Sequence, residues 1–161
     1  MEHSTVRYIS NNVEETKALG LEFAQQVVPQ DVILLNGGLG VGKTQFTQGL
    51  AAGLGIDQAV VSPTFNLLQE YHSGTIPLYH FDLYRLESED QLEDLAFYEI
   101  LEADGLCVVE WANKFLLDVP GSYVEISIST QDGAARVFSI MPHGKRAHEL
   151  LGRIGLASSN C

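Results

Sequence analysis

The segment GGLGVGKT, residues 37–44, combines residue types and a spacing that bind the phosphate groups of nucleotides. It satisfies the pattern G-x-x-x-x-G-K-[ST], in which glycines let backbone N–H groups point at phosphate oxygens without obstruction by a Cβ atom. In this pattern Lys43 reaches the β- and γ-phosphates, and the hydroxyl of Thr44 can ligate Mg²⁺. The segment follows an apolar run and opens a predicted helix, whose N-terminal dipole favours a bound anion. The predicted nucleotide-binding residues of this segment are Leu39, Gly40, Val41, Gly42, Lys43 and Thr44.

Two acidic residues that end apolar segments are candidates for binding magnesium and placing the attacking water. Glu110 ends LCVVE, and Asp82 ends LYHFD. Carboxylates at the C-terminal ends of strands in an open α/β sheet face the crevice in which ligands bind. Because phosphoryl transfer needs acids that hold magnesium and place the attacking water, we predict catalytic roles for Glu110, Asp82 and Lys43, and metal-ligand roles for Thr44 and Glu110. A surface carboxylate at a strand end is the alternative for each acid.

Three further side chains are candidates for the site, and each has two interpretations. Trp111 is the only tryptophan and directly follows Glu110, so it either packs in the core or belongs to the site. His80 alternates with Asp82 and can share its face of the strand, although a structural histidine is the preferred interpretation. Thr64, in the segment SPTF, either contacts the γ-phosphate or its water or forms part of a plain turn.

The elements that must position these residues are predicted from hydrophobic periodicity and turn signals. Predicted strands cover residues 5–9, 31–36, 59–65, 66–72, 76–84, 106–111, 122–129 and 135–141, the last two joined by a turn at Asp132-Gly133. A capping box of Asn12 and Glu15 opens a helix that Pro29 ends, with Leu19, Phe23 and Val27 on its apolar face.

Three more helices are predicted. One begins at Lys43 and ends near Gly53. A second is opened by a capping box of Ser88 and Gln91 and ended by Gly105, with Leu92, Leu95 and Ile100 directed inward. A C-terminal helix is marked by Ala147, Leu150, Leu151 and Ile154. The fold prediction is α/β: a single P-loop NTPase-like domain over residues 1–156 with a mixed parallel and antiparallel sheet flanked by helices. Residues 157–161 are predicted to be a mobile tail.

The net charge of the chain indicates which kind of macromolecule it binds. The chain has 161 residues and a net charge of −12, from 9 Lys and Arg against 21 Asp and Glu. Such a charge repels nucleic-acid backbones, so a basic protein surface is the expected partner and free-standing DNA or RNA binding is not expected. The two cysteines and five histidines have no zinc spacing. The absence of a leader-like or membrane-spanning pattern predicts a cytoplasmic protein.

The identity of the nucleotide and the type of reaction leave alternatives. ATP is favoured over GTP because Asn113-Lys114 begins a guanine-type N-K-x-D element but has Leu116 where the aspartate belongs. A small-metabolite kinase and a non-hydrolysing nucleotide-sensing module remain possible alternatives to an ATPase. A kinase of this size usually carries arginines in a lid over the phosphates, and no arginine pair here lies in a long loop between late helices.

Four segments in order, GGLGVGKTQF, SPTF, HFDLYR and VEW, resemble the bacterial TsaE family over about residues 10–140. These are ATPases of tRNA threonylcarbamoyladenosine (t6A) biosynthesis. The resemblance implies a compact P-loop fold that binds ATP and Mg²⁺ and works with the TsaB–TsaD complex, which modifies the adenosine next to the anticodon. Hydrolysis is then expected to be weak alone, stimulated by partners, and used to reset the complex between turnovers.

The resemblance also implies residue roles. Lys43 and Thr44 hold phosphate and magnesium, and Glu110 is a magnesium ligand or a water-positioning acid. Asp82 and Trp111 match family positions with catalytic or coupling roles. Arg136 matches a late arginine that approaches the nucleotide, and residues 11–16 border the adenine. One departure is Gly38, where the family often has aspartate.

Overall fold

One sheet of seven strands organises the computed structural model, which describes residues 5–38, 40–61, 67–111 and 122–156. The order across the sheet is β1-β7-β6-β2-β5-β4-β3. The strands are β1 (Val6–Ser10), β2 (Val32–Asn36), β3 (Leu68–Tyr71), β4 (Leu78–Asp82), β5 (Leu106–Glu110), β6 (Tyr123–Thr130) and β7 (Arg136–His143).

The centre of the sheet is parallel and its edges are antiparallel. β2 pairs in parallel with both β5 and β6, and β4 pairs in parallel with β5. β3 pairs antiparallel with β4, while β7 pairs antiparallel with β6 and β1. The continuous apolar runs of β2 and β5 reflect burial on both faces, as parallel strands require, and every residue of β4 is buried as well. The predicted mixed sheet is confirmed.

Helices cover both faces of this sheet. They are α1 (Val13–Ala24), α2 (Lys43–Gly53), α3 (Gln91–Asp94), α4 (Phe97–Leu101) and α5 (Lys145–Ile154). Side chains of α1, α2 and α5 share one core with Ile33 and Leu35 of β2. Side chains of α3 and α4 share the opposite core with Val32 and Leu34. The alternation of β2 between two apolar faces explains why its sequence shows no polar residue before Asn36.

The helix that follows the glycine loop, α2, packs closely against α1 through glycines. A Cβ atom on Gly49 would lie 2.1 Å from the carbonyl oxygen of Lys17, and one on Gly20 would lie 2.3 Å from that of Phe46. Both distances are far inside van der Waals contact, so the two backbones approach each other only because these positions lack side chains. The close contact fixes α2, and with it the end of the glycine loop, against α1.

The start of α1 is as predicted, and its end is not. The side chain of Asn12 accepts from the backbone N–H of Glu15 at 2.8 Å, as an N-cap does. The Glu15 carboxylate accepts from the N–H of Asn11, one residue earlier than in a standard capping box. The helix ends at Ala24, well before Pro29. The chain turns away because the Asp31 carboxylate accepts from the N–H of Val28 at 2.8 Å.

The single helix predicted after Ser88 is wrong. The chain forms two short helices, α3 and α4, because Ala96 between them has a left-handed φ of 54°. The break lets Phe97 pack on Phe81 of β4, with ring centroids 4.9 Å apart. The cap is made by Gln91, whose side-chain oxygen accepts from the N–H groups of Glu87 and Ser88.

The predicted strand over residues 59–65 is wrong where the structure describes it, since residues 59–61 belong to no strand. There the N–H of Val61 donates to the hydroxyl of Tyr71 instead of to a neighbouring strand. Thr64 and the rest of SPTF lie outside the described residues. The late hairpin and the C-terminal helix α5 are confirmed, with Gly133 of the turn at a φ of 65°.

Candidate functional site

Lys43 lies at the centre of the candidate site and is almost fully buried. Its Nζ donates to the carbonyl oxygen of Gly37, at the start of the glycine loop, over 2.9 Å. The same Nζ lies 3.5 Å from Oε1 of Glu110 and 4.4 Å from the ring centroid of Trp111. The predicted phosphate-binding lysine, acid and tryptophan therefore meet at one point, although they are separated by almost 70 residues in the chain.

Strand register accounts for this meeting. β2 runs into the glycine loop, and its Leu35 is paired with Glu110 of β5. On the other side of β5, Asp82 of β4 is paired with the same Glu110. Parallel strands bring their C-terminal ends to one edge of the sheet, so the two acids lie side by side next to the loop. This geometry brings the two predicted acids together, while their catalytic roles stay predictions.

His80 supplies a contact that the sequence did not indicate. It lies two residues before Asp82 on β4, is fully buried, and places Nε2 2.5 Å from Oε2 of Glu110. Its other ring nitrogen, Nδ1, finds no hydrogen-bond partner among the described residues. His80 shares the face of Asp82 and is fully buried, as a structural histidine is, but only one of its two ring nitrogens has a partner among the described residues. The only sequence signal for the contact is the two-residue spacing from Asp82.

The two carboxylates have pKa values shifted in opposite directions. Burial acts to raise the pKa of Glu110, but the hydrogen bond from His80 and the charges of His80 and Lys43 outweigh it, so its pKa is lowered. Burial raises the pKa of Asp82, and the nearby charge of Glu110 adds to this effect. Environments that separate the pKa values of neighbouring acids are typical of acid–base sites. Glu110 is the acid that is held ionised.

Trp111 belongs both to the core and to the site. It directly follows β5 with a left-handed φ of 62°, which is unusual for an aromatic residue and turns the ring toward Lys43. The ring of Tyr84 lies over it, with centroids 4.9 Å apart. Tyr84 is held in turn by its backbone N–H, which donates to Oδ1 of Asp82 at 3.0 Å. Tyr84 is thus a second aromatic residue beside the site that the sequence analysis did not single out.

Arg136 and the start of α1 border the other side of the glycine loop. Nε of Arg136 donates to the carbonyl oxygen of Val41 at 3.1 Å, which ties the first residue of β7 to the loop. A cleft of about 110 Å³ lies here, lined by Asn12, Val13, Thr16, Gly40, Val41, Gly42, Gln45, Ala134 and Arg136. The predicted nucleotide-contacting arginine and the segment predicted to border adenine therefore share one cleft with the loop. Leu39 lies outside the described residues.

The oxygen donors at the site fit a magnesium ion. Among the described residues no group of three or more His, Cys, Asp and Glu side chains forms a metal-ligand cluster. Magnesium does not need such a cluster, because it keeps several waters and usually binds one or two protein carboxylates together with substrate phosphates. The Glu110 carboxylate next to the loop and the Thr44 hydroxyl in the first turn of α2 are the donors of the right kind.

Comparison with known proteins identifies the family of this chain. The family model described as threonylcarbamoyl adenosine biosynthesis protein TsaE matches residues 10–138. The chain belongs to the TsaE family. A TsaE protein of Bacillus subtilis (strain 168), named for tRNA threonylcarbamoyladenosine biosynthesis, is 43% identical over 140 residues, covering 87% of each chain. The TsaE proteins of Rickettsia felis and Nostoc sp. are 39% and 38% identical, over 86% of this chain and 81% and 86% of their own.

The TsaE fold is also present in a solved structure. The crystal structure of Bacillus subtilis YdiB superposes with a TM-score of 0.83 at 34% identity, covering 96% of this chain and 97% of that one. In the part of this TsaE chain that the structure describes, every helix is too short or too polar to cross a membrane.

Proposed function

We propose that this TsaE chain is the ATP-hydrolysing subunit for the t6A modification of tRNA, at the adenosine next to the anticodon, and that it works with the TsaB–TsaD complex in the cytoplasm. The observation that carries the proposal is the convergence of Lys43, Glu110 and Asp82 at the end of a glycine loop in a chain of this family. A loop of this type binds the phosphates of ATP. The two acids beside it provide what hydrolysis requires in addition to binding.

Each residue of the site has a proposed role. Backbone N–H groups of residues 39–42 surround the phosphates, and Lys43 exchanges its contacts with Gly37 and Glu110 for phosphate oxygens. Thr44 and Glu110 would hold Mg²⁺, which would neutralise charge that develops on the phosphates during transfer. Glu110, held ionised, orients the attacking water, with Asp82 next to it. Arg136 contacts the nucleotide from the cleft, and Trp111 couples the lysine to the end of β5.

The charge of the chain supports a protein partner. Residues 86–105 contain no lysine or arginine. They contain eight exposed acids, Glu87, Glu89, Asp90, Glu93, Asp94, Glu99, Glu102 and Asp104. A basic protein surface is complementary to such a face, whereas a phosphate backbone is repelled. We therefore propose that TsaB–TsaD is the protein partner of the chain and that ATP hydrolysis resets this complex between turnovers. The proposed ATPase domain covers residues 1–156.

The test is ATP hydrolysis in the presence of Mg²⁺ by the purified chain, alone and with TsaB–TsaD and tRNA. Little turnover alone and a clear increase with the partners is the expected result. Lys43→Ala is expected to lose ATP binding, measured by calorimetry. Glu110→Ala is expected to keep ATP binding and lose about 10²- to 10⁴-fold in stimulated hydrolysis, the usual contribution of a positioned acid–base group.

The matched control is Glu149→Ala, which removes an exposed glutamate of α5, outside both the site and the acidic face, and is expected to leave hydrolysis unchanged. Rapid turnover without partners, or no increase with them, would contradict the proposal. A phosphorylated small molecule in a substrate screen would favour the kinase alternative instead. Tight ATP binding without turnover, together with an unaffected Glu110→Ala variant, would favour a nucleotide-sensing module.

A further inference from the structure

His80 is a buried polar side chain whose one hydrogen-bond partner among the described residues is Glu110 of the site. It has no exposed surface and lies on β4, one side-chain layer deeper in the core than Asp82. Its Nε2 contacts Oε2 of Glu110, while the other oxygen of that carboxylate, Oε1, faces Lys43. A carboxylate oxygen accepts hydrogen bonds and a protonated imidazole nitrogen donates them, so this contact is a hydrogen bond from Nε2 of His80 to Oε2 of Glu110.

Packing alone does not account for a histidine at this position. Nδ1 has no hydrogen-bond partner in the described part of the chain, and a buried polar atom without a partner lowers stability. A neighbouring position in the same register, Val108 of β5, is filled by an apolar residue that incurs no such cost. A leucine or phenylalanine would fill the core at position 80 without leaving a polar atom unpaired. The feature that only the imidazole offers is the N–H that reaches Glu110.

The anchoring of Glu110 depends on a contact that persists while ATP is bound. Lys43 also contacts Glu110, but phosphate binding requires the same Nζ, so the lysine cannot hold the carboxylate during the reaction. His80 has no such second task. We propose that His80 is a positioning residue that fixes one oxygen of Glu110 in the core and thereby directs the other toward the phosphate site. This inference rests on the proposed ATPase function.

The first test is the partner-stimulated ATPase reaction with variants of His80 in the full chain. His80→Leu is expected to lower kcat roughly 10- to 100-fold, as loss of a residue that orients a site ligand does, with KM for ATP within about twofold of wild type. His80→Gln, whose amide N–H reaches as far as Nε2, is expected to recover most of kcat. His80→Asn is equally polar but too short, and is expected to behave like His80→Leu.

Thermal unfolding of each variant separates positioning from packing. Phe81→Leu, on the opposite face of the same strand, is the control and is expected to lower Tm while leaving kcat unchanged. If His80→Leu does not fold, the comparison of His80→Gln with His80→Asn decides. Unchanged kcat in His80→Leu, or equal losses in His80→Gln and His80→Asn, would overturn the proposal.

A second measurement does not depend on hydrolysis at all. In nuclear magnetic resonance spectra of the ¹⁵N-histidine-labelled chain, His80 is expected to give a solvent-protected Nε2–H signal that shifts in Glu110→Gln. A proton on Nδ1 with a bare Nε2 would overturn the inference even if the ATPase function holds. Conversely, the expected signals together with an inactive wild-type protein would reject the proposed function and leave the anchoring contact in place.

Discussion

Asp82 and Glu110 are neighbours on paired strands, yet their surroundings shift their pKa values in opposite directions. Glu110 lies between Nε2 of His80 and Nζ of Lys43, and its pKa is lowered. Asp82 accepts from the backbone N–H of Tyr84, which does not compensate for its burial, and its pKa is raised. Ionised Asp82 therefore lowers the stability of the folded chain, while Glu110 stays ionised and is the carboxylate better suited to accept hydrogen bonds or to bind a cation.

The substitution Asp82→Asn is expected to raise Tm at neutral pH and to lower partner-stimulated hydrolysis. The folded-state pKa of Asp82 lies above its ordinary value of 3.8, so the cost of its charge is absent below that pH. The cost develops as pH rises through the ordinary value and is complete above the folded-state pKa. Asparagine keeps the oxygen that accepts from Tyr84 and removes the charge. For a chain of this size Tm rises by about 2–4 °C for each kcal/mol recovered.

The measurement is thermal unfolding at several pH values, with Asp94→Asn as the control for the loss of one exposed negative charge. The gain in Tm should be present at pH 7 and should disappear as pH falls below the ordinary aspartate range. A lower Tm for Asp82→Asn at pH 7 would mean that the charge of Asp82 stabilises the fold.

At the residue scale, the sequence predicted the members of the site better than their contacts. Glu110 and Asp82 could be found because each ends an apolar strand, which is a local signal. The contacts of Lys43 with Trp111 and of His80 with Glu110 depend on strand order and on a left-handed backbone at Trp111. Both contacts join residues that are far apart in the chain, so local patterns do not distinguish a core tryptophan or histidine from one at the site.

At the scale of elements, the α1–α2 contact is the most demanding feature of the fold. Gly49→Ala is expected to destabilise the chain by about 1–3 kcal/mol or more, because its Cβ would overlap the backbone of Lys17 and force the helices apart. Helix propensity alone predicts the opposite, since alanine is favoured over glycine in a helix by about 1 kcal/mol.

Gly152→Ala in α5 is the matched control, because a Cβ there meets nothing within 4 Å. That variant is expected to be stabilised by about 0.5–1 kcal/mol in chemical unfolding. Similar stability changes for both variants would show that the α1–α2 contact tolerates separation.

Elements with uniform local signals were predictable, and those shaped by tertiary packing were not. β2, β5, the β6–β7 hairpin and α5 have regular apolar patterns bounded by glycines, and all four form as predicted. The spacing of Leu92, Leu95 and Ile100 also fits one helix, but the core gains Phe97 on Phe81 only if the helix breaks at Ala96. Packing of a large aromatic side chain thus outweighs continuity of a helix.

At the scale of the whole molecule, charge governs which partners can approach. The net charge of −12 predicts that the chain alone does not bind tRNA measurably at about 0.15 M salt, whereas TsaB–TsaD with the chain does. Filter binding with labelled tRNA measures both, with TsaB–TsaD alone as the positive control. Micromolar binding of tRNA by the isolated chain would contradict the assignment of tRNA as an indirect partner.

The position of Trp111 has a practical consequence for spectroscopy. As the single tryptophan of the chain, it accounts for all of the indole fluorescence, and its ring lies against the ammonium group of Lys43. Indole emission responds to nearby charge and polarity, so a lysine that leaves the ring for a phosphate alters the signal of the entire protein. The chain therefore carries a label-free optical probe at the centre of its site, and occupancy of that site can be followed in real time without modifying the protein.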